Sequence, residues 1–364
     1  MIRGVTMTSS ATRAGLMQVR CLLIGLGNVG RRFLELVDRK RDTLELVLGL
    51  DLVVVGAADT SGAAICASGL DPRQIMQFKA TGQGVADYPD WGQRGLSALE
   101  MIQAADATCD CGLLLEASPA NLTDGQPGLS CIEEAIARGM HVVTANKAPL
   151  VLAFSHLMGL ARAHGVRLGF DATVAGGLPA VNVGQRDLAA AHIHRLEGVL
   201  NLTTNYILTR MADSGLSYDE ALADAQAAGH AETDPRLDVE GWDAANKLVI
   251  LAHSVLGYPA RLDDVSVEGI LGVTAEMLGQ SAVEGKRIKL VATAEEEGDG
   301  YRLSVQPTWL EVKHPLAQLG PKQMGIVYHT DISGVISATI VEETPIPTAS
   351  AMLRDVVDIF AVRA

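Results

Sequence analysis

The chain has 364 residues, of which 48% are hydrophobic and 20% charged, with a formal net charge of −14. That length suits about two domains with ample core, and the composition excludes a disordered chain. The negative charge excludes a surface built for nucleic acid or for an anionic membrane. Five cysteines (Cys21, Cys66, Cys109, Cys111 and Cys131) lack zinc-ligand spacing and read as buried free thiols. No apolar run reaches the about 18 residues that would span a bilayer. Residues 1–17 carry no apolar signal core and read as a polar, flexible leader. A reducing cytoplasm fits these features.

Gln18 to Ile24 reads as a short apolar strand running into Gly25-Leu-Gly27-Asn28-Val29-Gly30 and then a helical pattern. Strand, G-x-G-x-x-G, helix is the context in which backbone N–H groups approach a pyrophosphate, and the alternative is an ordinary glycine-rich turn. A second strand, Leu50 to Ala58, ends at Asp59. An acid there can accept both ribose hydroxyls and repel a 2′-phosphate. Residues 60–63 hold no Arg or Lys, which favours NAD over NADP, unless Asp59 merely caps a loop. Residues 62–95 read as a loop-rich insertion with short helices, Pro72 to Lys79 among them. Asp110 to Glu116 is a further strand before a turn at Ser118, Leu129 to Arg138 a helix, and His141 to Thr144 a strand ending at Lys147. This alternation predicts a Rossmann-type, doubly wound parallel sheet over 18–150, with ligands at the strands' carboxyl ends. Gly25, Gly27, Asn28, Val29, Gly30, Asp59, Ser118 and Lys147 are the cofactor-contacting candidates.

Val151 to His164 reads as a helix and Arg167 to Phe170 as a strand, followed by D-A-T-V-A-G-G-L-P at 171–179. Paired glycines before a proline can expose carbonyl oxygens to a cation, or form an ordinary turn. Arg195 to Leu200 is a strand, and 201–206 a polar turn with Thr capping potential for a helix from Tyr206. Ser217 to Ala227 is another helix. In the stretch 229–253, Asp238 is the expected N-cap of a helix on which Glu240, Asp243 and Lys247 share one face. A lysine among carboxylates beside an apolar run suits proton transfer and ammonium binding, and a solvated ion-pair face is the alternative. Strands then recur at 265–269, 286–294, 301–311 and 325–341, predicting a mixed or antiparallel sheet in an α+β domain over 151–342. Thr348 to Val362 closes the sequence as an amphipathic helix.

The motifs G-L-G-N-V-G (25–30), T-A-N-K (144–147), A-T-V-A-G-G-L-P (172–179), L-T-T-N-Y-I-L (202–208) and A-E-T-D-P-R-L-D-V-E-G-W-D-A-A-N-K-L (231–248) occur in this order. From about Val19 onward the chain resembles homoserine dehydrogenase, in a short form without the C-terminal regulatory module. The resemblance implies an NAD(P)-dependent oxidoreductase that interconverts L-aspartate 4-semialdehyde and L-homoserine in threonine, methionine and isoleucine biosynthesis. It implies that Lys247 donates the proton and that Lys147 stands beside the nicotinamide. Thr203, Glu232 and Asp243 would hold the amino acid. Asp171, Val174, Gly176 and Leu178 would form a site for Na+ or K+. A homodimer through the second domain's sheet is implied, as is the return of 343–364 to the nucleotide domain. Asp171 stands where Glu is frequent, Leu202 where Gly is usual, and His230 where Tyr is usual. These departures keep open a related amino-acid dehydrogenase with an altered substrate. A non-catalytic dinucleotide-binding regulator would need neither Lys147 nor Lys247.

Overall fold

The computed structural model describes residues 16–361. The expected leader, 1–17, falls outside the described residues up to residue 15, and Met17 already opens the first strand.

The first half runs β1 (Met17–Ile24), α1 (Asn28–Arg39), α2 (Arg41–Leu46), β2 (Leu50–Asp59), β3 (Gly62–Ile65), α3 (Pro72–Ala80), β4 (Gly92–Arg94), α4 (Ala98–Cys109), β5 (Leu113–Glu116), α5 (Gly128–Ala137), β6 (His141–Thr144), α6 (Lys147–Ala163) and β7 (Leu168–Gly169). These strands form a seven-stranded sheet in the order β4-β3-β2-β1-β5-β6-β7. The pairings from β2 through β7 are parallel, as the βαβ alternation requires. The segment 62–95 is more ordered than its composition predicts. It contributes β3 and β4 as antiparallel edge strands, with α3 between them. Helix α4, capped by a Ser97–Glu100 box, also escaped the sequence reading. Its few polar residues blur the helical period.

The second half runs α7 (Ala180–Asn182), β8 (Ile193–Val199), α8 (Leu202–Ser214), α9 (Tyr218–Ala227), α10 (Arg236–Val239), α11 (Trp242–Ser254), β9 (Val265–Val267), α12 (Ala275–Val283), β10 (Lys286–Glu297), β11 (Gly300–Glu311), β12 (Gln323–Thr330), β13 (Val335–Val341) and α13 (Ile346–Phe360). Its six-stranded sheet has the order β13-β12-β8-β10-β11-β9. It is mixed, because β9 pairs with β11 in parallel while the other pairings are antiparallel. The buried faces of α8 and α11 share one core with β8 and β10.

Helix α13 leaves the second sheet and packs on α1. Ala349, Met352 and Val356 join Phe33, Leu34 and Val37 in the core of the first sheet. The junction between the halves is polar and buried. The Asp355 carboxylate accepts from the Asp171 amide at 2.9 Å, and Asp171 in turn accepts from Val181 N at 3.0 Å and Asn182 Nδ2 at 2.9 Å. Arg354 also pairs with Asp171. Burial, with the Asp171 carboxylate alongside, pushes the Asp355 carboxyl up to about 7.

Candidate active site

The Gly25–Gly30 loop joins β1 to α1 at the carboxyl edge of the parallel sheet. Gly27 is the N-cap of α1, and no side chain caps that helix. A Cβ on Gly25 would lie 2.2 Å from the Ala117 carbonyl oxygen, and one on Gly30 1.9 Å from that of Gly25, whereas one on Gly27 would meet nothing within 4 Å. Gly25 and Gly30 therefore allow close packing, and Gly27 leaves an open cradle. With the free N–H groups of α1 facing it, that cradle fits a pyrophosphate.

Asp59 ends β2, but it is not isolated. Its carboxylate accepts from Lys79 Nζ at 2.7 Å, Ser61 N at 2.9 Å, Ser61 Oγ at 2.5 Å and Val85 N at 3.2 Å. Helix α3 delivers Lys79 across space, so the expectation that Asp59 lacks a basic neighbour is corrected. Burial works against ionisation, yet the Lys79 and Ser61 donors outweigh it and hold this carboxyl below the ordinary range.

Ser118 follows β5 and is held by buried Glu116, to which it donates both its amide and its hydroxyl. Thr144 Oγ1 donates to the other Glu116 oxygen at 2.8 Å, and Asn146 Nδ2 to Ser118 Oγ at 3.3 Å. This network fixes the turns after β5 and β6 relative to each other. Burial pushes the Glu116 carboxyl up. Asn146 is also the N-cap of α6, accepting from Ala148 N. Lys147 is therefore the first residue of α6, at the mouth of the sheet.

The second lysine comes from α11, which starts later than the sequence predicts. Gly241 is its N-cap at φ +91°, a left-handed conformation that favours glycine. A Cβ there would also sit 3.0 Å from Val267 Cγ1. Asp238 is thus not the cap; it lies in α10 and accepts from Asn201 Nδ2 at 2.6 Å. Glu240 precedes the helix, so only Asp243 and Lys247 share the expected face. Lys247 Nζ donates to Asp243 Oδ2 at 2.6 Å and to the Leu200 carbonyl at 2.7 Å. Lys147 pairs with Asp243 Oδ1, and Asn201 Nδ2 donates to Oδ2 at 2.8 Å. Burial pushes the Asp243 carboxyl up, but the Lys247 and Lys147 ammoniums together hold it well below the ordinary range. Two ammoniums from the two halves of the molecule thus share one buried carboxylate.

Lys247 borders a cleft of about 410 Å³ that also takes in Asn28, Val29, Thr203, Glu342 and Thr348. The dinucleotide loop and the lysine centre therefore open on the same space. A proton-bearing cation in such a cleft matches alcohol oxidation or carbonyl reduction with hydride transfer.

A family model described as "Homoserine dehydrogenase, NAD binding domain" matches residues 25–171, and one described as "Homoserine dehydrogenase" matches 179–357. The homoserine dehydrogenase of Methanocaldococcus jannaschii is 36% identical over 93% of this chain and 98% of its own length. This chain belongs to the homoserine dehydrogenase family. An NAD(+)-dependent homoserine dehydrogenase of Pseudomonas canavaninivorans is 32% identical over 94% of this chain and 96% of its own. The solved putative homoserine dehydrogenase of Archaeoglobus fulgidus superposes with a TM-score of 0.83 at 36% identity, covering 94% of this chain and all of that one. A hyperthermophilic archaeal homoserine dehydrogenase mutant in complex with NADPH superposes at 0.79 with 26% identity, covering 94% and 98%. The chain is an oxidoreductase, a homoserine dehydrogenase with an NAD-binding domain.

Within this homoserine dehydrogenase several expected residues are placed otherwise. Glu232 is exposed and lies outside the cleft lining, with its backbone carbonyl bound by Gln226 Nε2 at 3.0 Å. The Pro235 turn does not fold it back. Thr203 lies inside α8, because Asn201 and not a threonine is the N-cap. The Thr203 hydroxyl donates to the His230 carbonyl at 2.7 Å, and Leu202 and His230 both reach the cleft wall. Asp171, expected among the cation ligands, has its carboxylate occupied by Arg354, Val181 and Asn182. Val174 and Leu178 are fully buried, and the Leu178 carbonyl already accepts from Ala180 N at 2.7 Å. Among the described residues no cluster of three or more His, Cys, Asp or Glu could hold a metal ion. Asn201, Glu116 and Glu342 were not singled out from the sequence, and Asp238 only as a helix cap. Asn201 alone carried a signal, as an N-cap residue type before an apolar helix.

Proposed function

We propose that Lys247 is the proton donor and acceptor of the reaction, with Lys147 as the second cation and Asp243 as the carboxylate that sets both. The single observation behind this reading is the two lysines meeting on one buried carboxylate at the mouth of the dinucleotide cleft. NAD(P), held by the Gly25–Gly30 cradle and Asp59, would supply the hydride donor or acceptor for the substrate carbon. In the reducing direction Lys247 Nζ gives its proton to the aldehyde oxygen; in the oxidising direction it takes the proton from the L-homoserine hydroxyl. Lys147 opposes negative charge that develops on that oxygen. The Leu200 carbonyl and Asp243 hold the Lys247 ammonium in place. Thr203, fixed by His230, walls the amino-acid end. No step is assigned to Na+ or K+.

The cofactor expected to be preferred is NAD, as in the NAD(+)-dependent relative, but by a small margin. Lys79 offsets the Asp59 charge that would repel a 2′-phosphate. Initial rates of L-homoserine oxidation with each cofactor should give an NAD preference in kcat/KM below about tenfold. Lys79→Met should then widen the preference about tenfold or more, the scale of one charge-assisted contact. An unchanged ratio would place the 2′-phosphate elsewhere. Absence of turnover with both cofactors would overturn the catalytic assignment.

A homodimer through the second sheet is the proposed assembly. Its edge strand β13 exposes Val335 and Val341 to solvent at 61% and 57%. Light scattering should give twice the chain mass. Among the described residues no helix is long and apolar enough to cross a membrane, and a cytoplasmic biosynthetic role in the threonine and methionine branch is the proposed setting.

A further inference from the structure

Glu116 ends β5 and is fully buried, and neither the proton step nor the hydride step uses it. Among the described residues its carboxylate accepts only from neutral groups. Ser118 N, at 2.9 Å, and the Ser118 hydroxyl meet Oε1, and the Thr144 hydroxyl meets Oε2 at 2.8 Å. A carboxylate without a counter-cation is costly to bury. In return it accepts on both oxygens, so donors can converge on it from two sides.

Three turns meet around it. Ser118 belongs to the turn after β5. Thr144 and Asn146 belong to the turn after β6: the Thr144 hydroxyl accepts from Asn146 N at 3.0 Å, and Asn146 Nδ2 donates to Ser118 Oγ at 3.3 Å. The third is the glycine cradle. A Cβ on Gly25 would lie 2.6 Å from Ser118 N as well as against the Ala117 oxygen. The start of α5 closes another side, where a Cβ on Gly128 would stand 2.6 Å from Asn146 Nδ2. Asn146 caps α6 through Ala148 N at 3.1 Å, and Lys147, the next residue, opens that helix and crosses to Asp243. A shift of the β6 turn would therefore be passed on to the Lys147 ammonium.

We propose that Glu116 is a positioning residue for the reaction, one that sets where Lys147 stands relative to the dinucleotide cradle. It acts through Thr144, Asn146 and Lys147 and does not itself line the cleft. This rests on Lys147 as the second cation of the reaction. Without the carboxylate, Ser118 and Thr144 lose their shared acceptor and the two turns can part. A displacement of about 1 Å between reacting groups can cost roughly a hundredfold in rate.

The test is a double-mutant cycle on kcat for L-homoserine oxidation with NAD, in wild type, Glu116→Gln, Lys147→Met and the double variant. Glu116→Gln should lower kcat about tenfold or more in the wild-type background. On the Lys147→Met background it should cost less than about twofold further, because the group it positions is gone. Thr144→Val, which removes the hydroxyl between Glu116 and the Asn146 amide, should show the same dependence on Lys147. It also carries the test if Glu116→Gln does not fold. Thr144→Ser keeps the hydroxyl and should stay close to wild type. A merely structural role would lower the melting temperature and cost the same factor in both backgrounds. That result, or an unchanged kcat in folded Glu116→Gln, overturns the proposal. Lys147→Met with wild-type kcat is a different failure: it would overturn the assignment of Lys147 itself, and this proposal with it.

Discussion

Lys247→Ala should lower kcat about a hundredfold or more, the usual scale for losing a positioned acid–base group. The affinity for NAD should stay near the wild-type value, because the Gly25–Gly30 cradle and Asp59 lie on the other half of the molecule. The fold should survive. Lys147 still pairs with Asp243, and Asn201 still donates to it. The Leu200 carbonyl loses one donor and gains the space left by the side chain. Stopped-flow traces of L-homoserine oxidation would show whether the loss lies in the chemical step. A loss of less than about tenfold would show that Lys247 only balances the Asp243 charge.

The second large effect is expected for Asp243→Asn. The carboxylate stands between two ammoniums, and without it they face each other across a neutral amide. Removing one partner of a buried ionic group costs roughly 3–5 kcal/mol, because the remaining charge is left uncompensated. Urea unfolding at neutral pH should register a loss of that order. The folded pKa of Asp243 is depressed, so its contribution to stability is present above the ordinary carboxylate range and is lost as pH falls through the folded value. The stability gap between wild type and variant should therefore be full at neutral pH and close only in strong acid. Catalysis should suffer as well. Lys247 loses the carboxylate that holds it, so kcat should fall and the KM for L-homoserine should rise. A variant with wild-type stability and wild-type kinetics would mean that the lysines part from Asp243 in solution.

The parallel sheet, the glycine cradle and the Asp243–Lys247 pair were legible because each depends on short-range sequence order. A strand ending in G-x-G-x-x-G reports its own turn, and Asp243 with Lys247 report their own spacing on one helix face. What stayed hidden depends on contacts between distant segments. Lys79 lies twenty positions beyond Asp59 and reaches it only because α3 packs against α1. The start of α11 was misplaced because Asp238 satisfies the local rule for a cap, while tertiary contacts with Val267 and a left-handed Gly241 decide the matter. Asp171 entered as a ligand candidate through the resemblance alone, and no local pattern announces Arg354, which meets it across 183 positions. Glu342 lacked any spacing signal, since Gly176, Thr203 and Lys247, which line the same cleft, come from distant segments.

The return of α13 to the first sheet has a consequence for how the chain is made. A ribosome delivers β1, the central strand, long before Ile346–Phe360. Throughout that interval the face of α1 that Ala349, Met352 and Val356 later cover is bare apolar surface. The core of the dinucleotide half is therefore completed only once α13 has been made. Pairing the earliest and latest segments also lengthens the loops that must close before the native contacts reward them, which slows folding relative to a chain whose domains are contiguous.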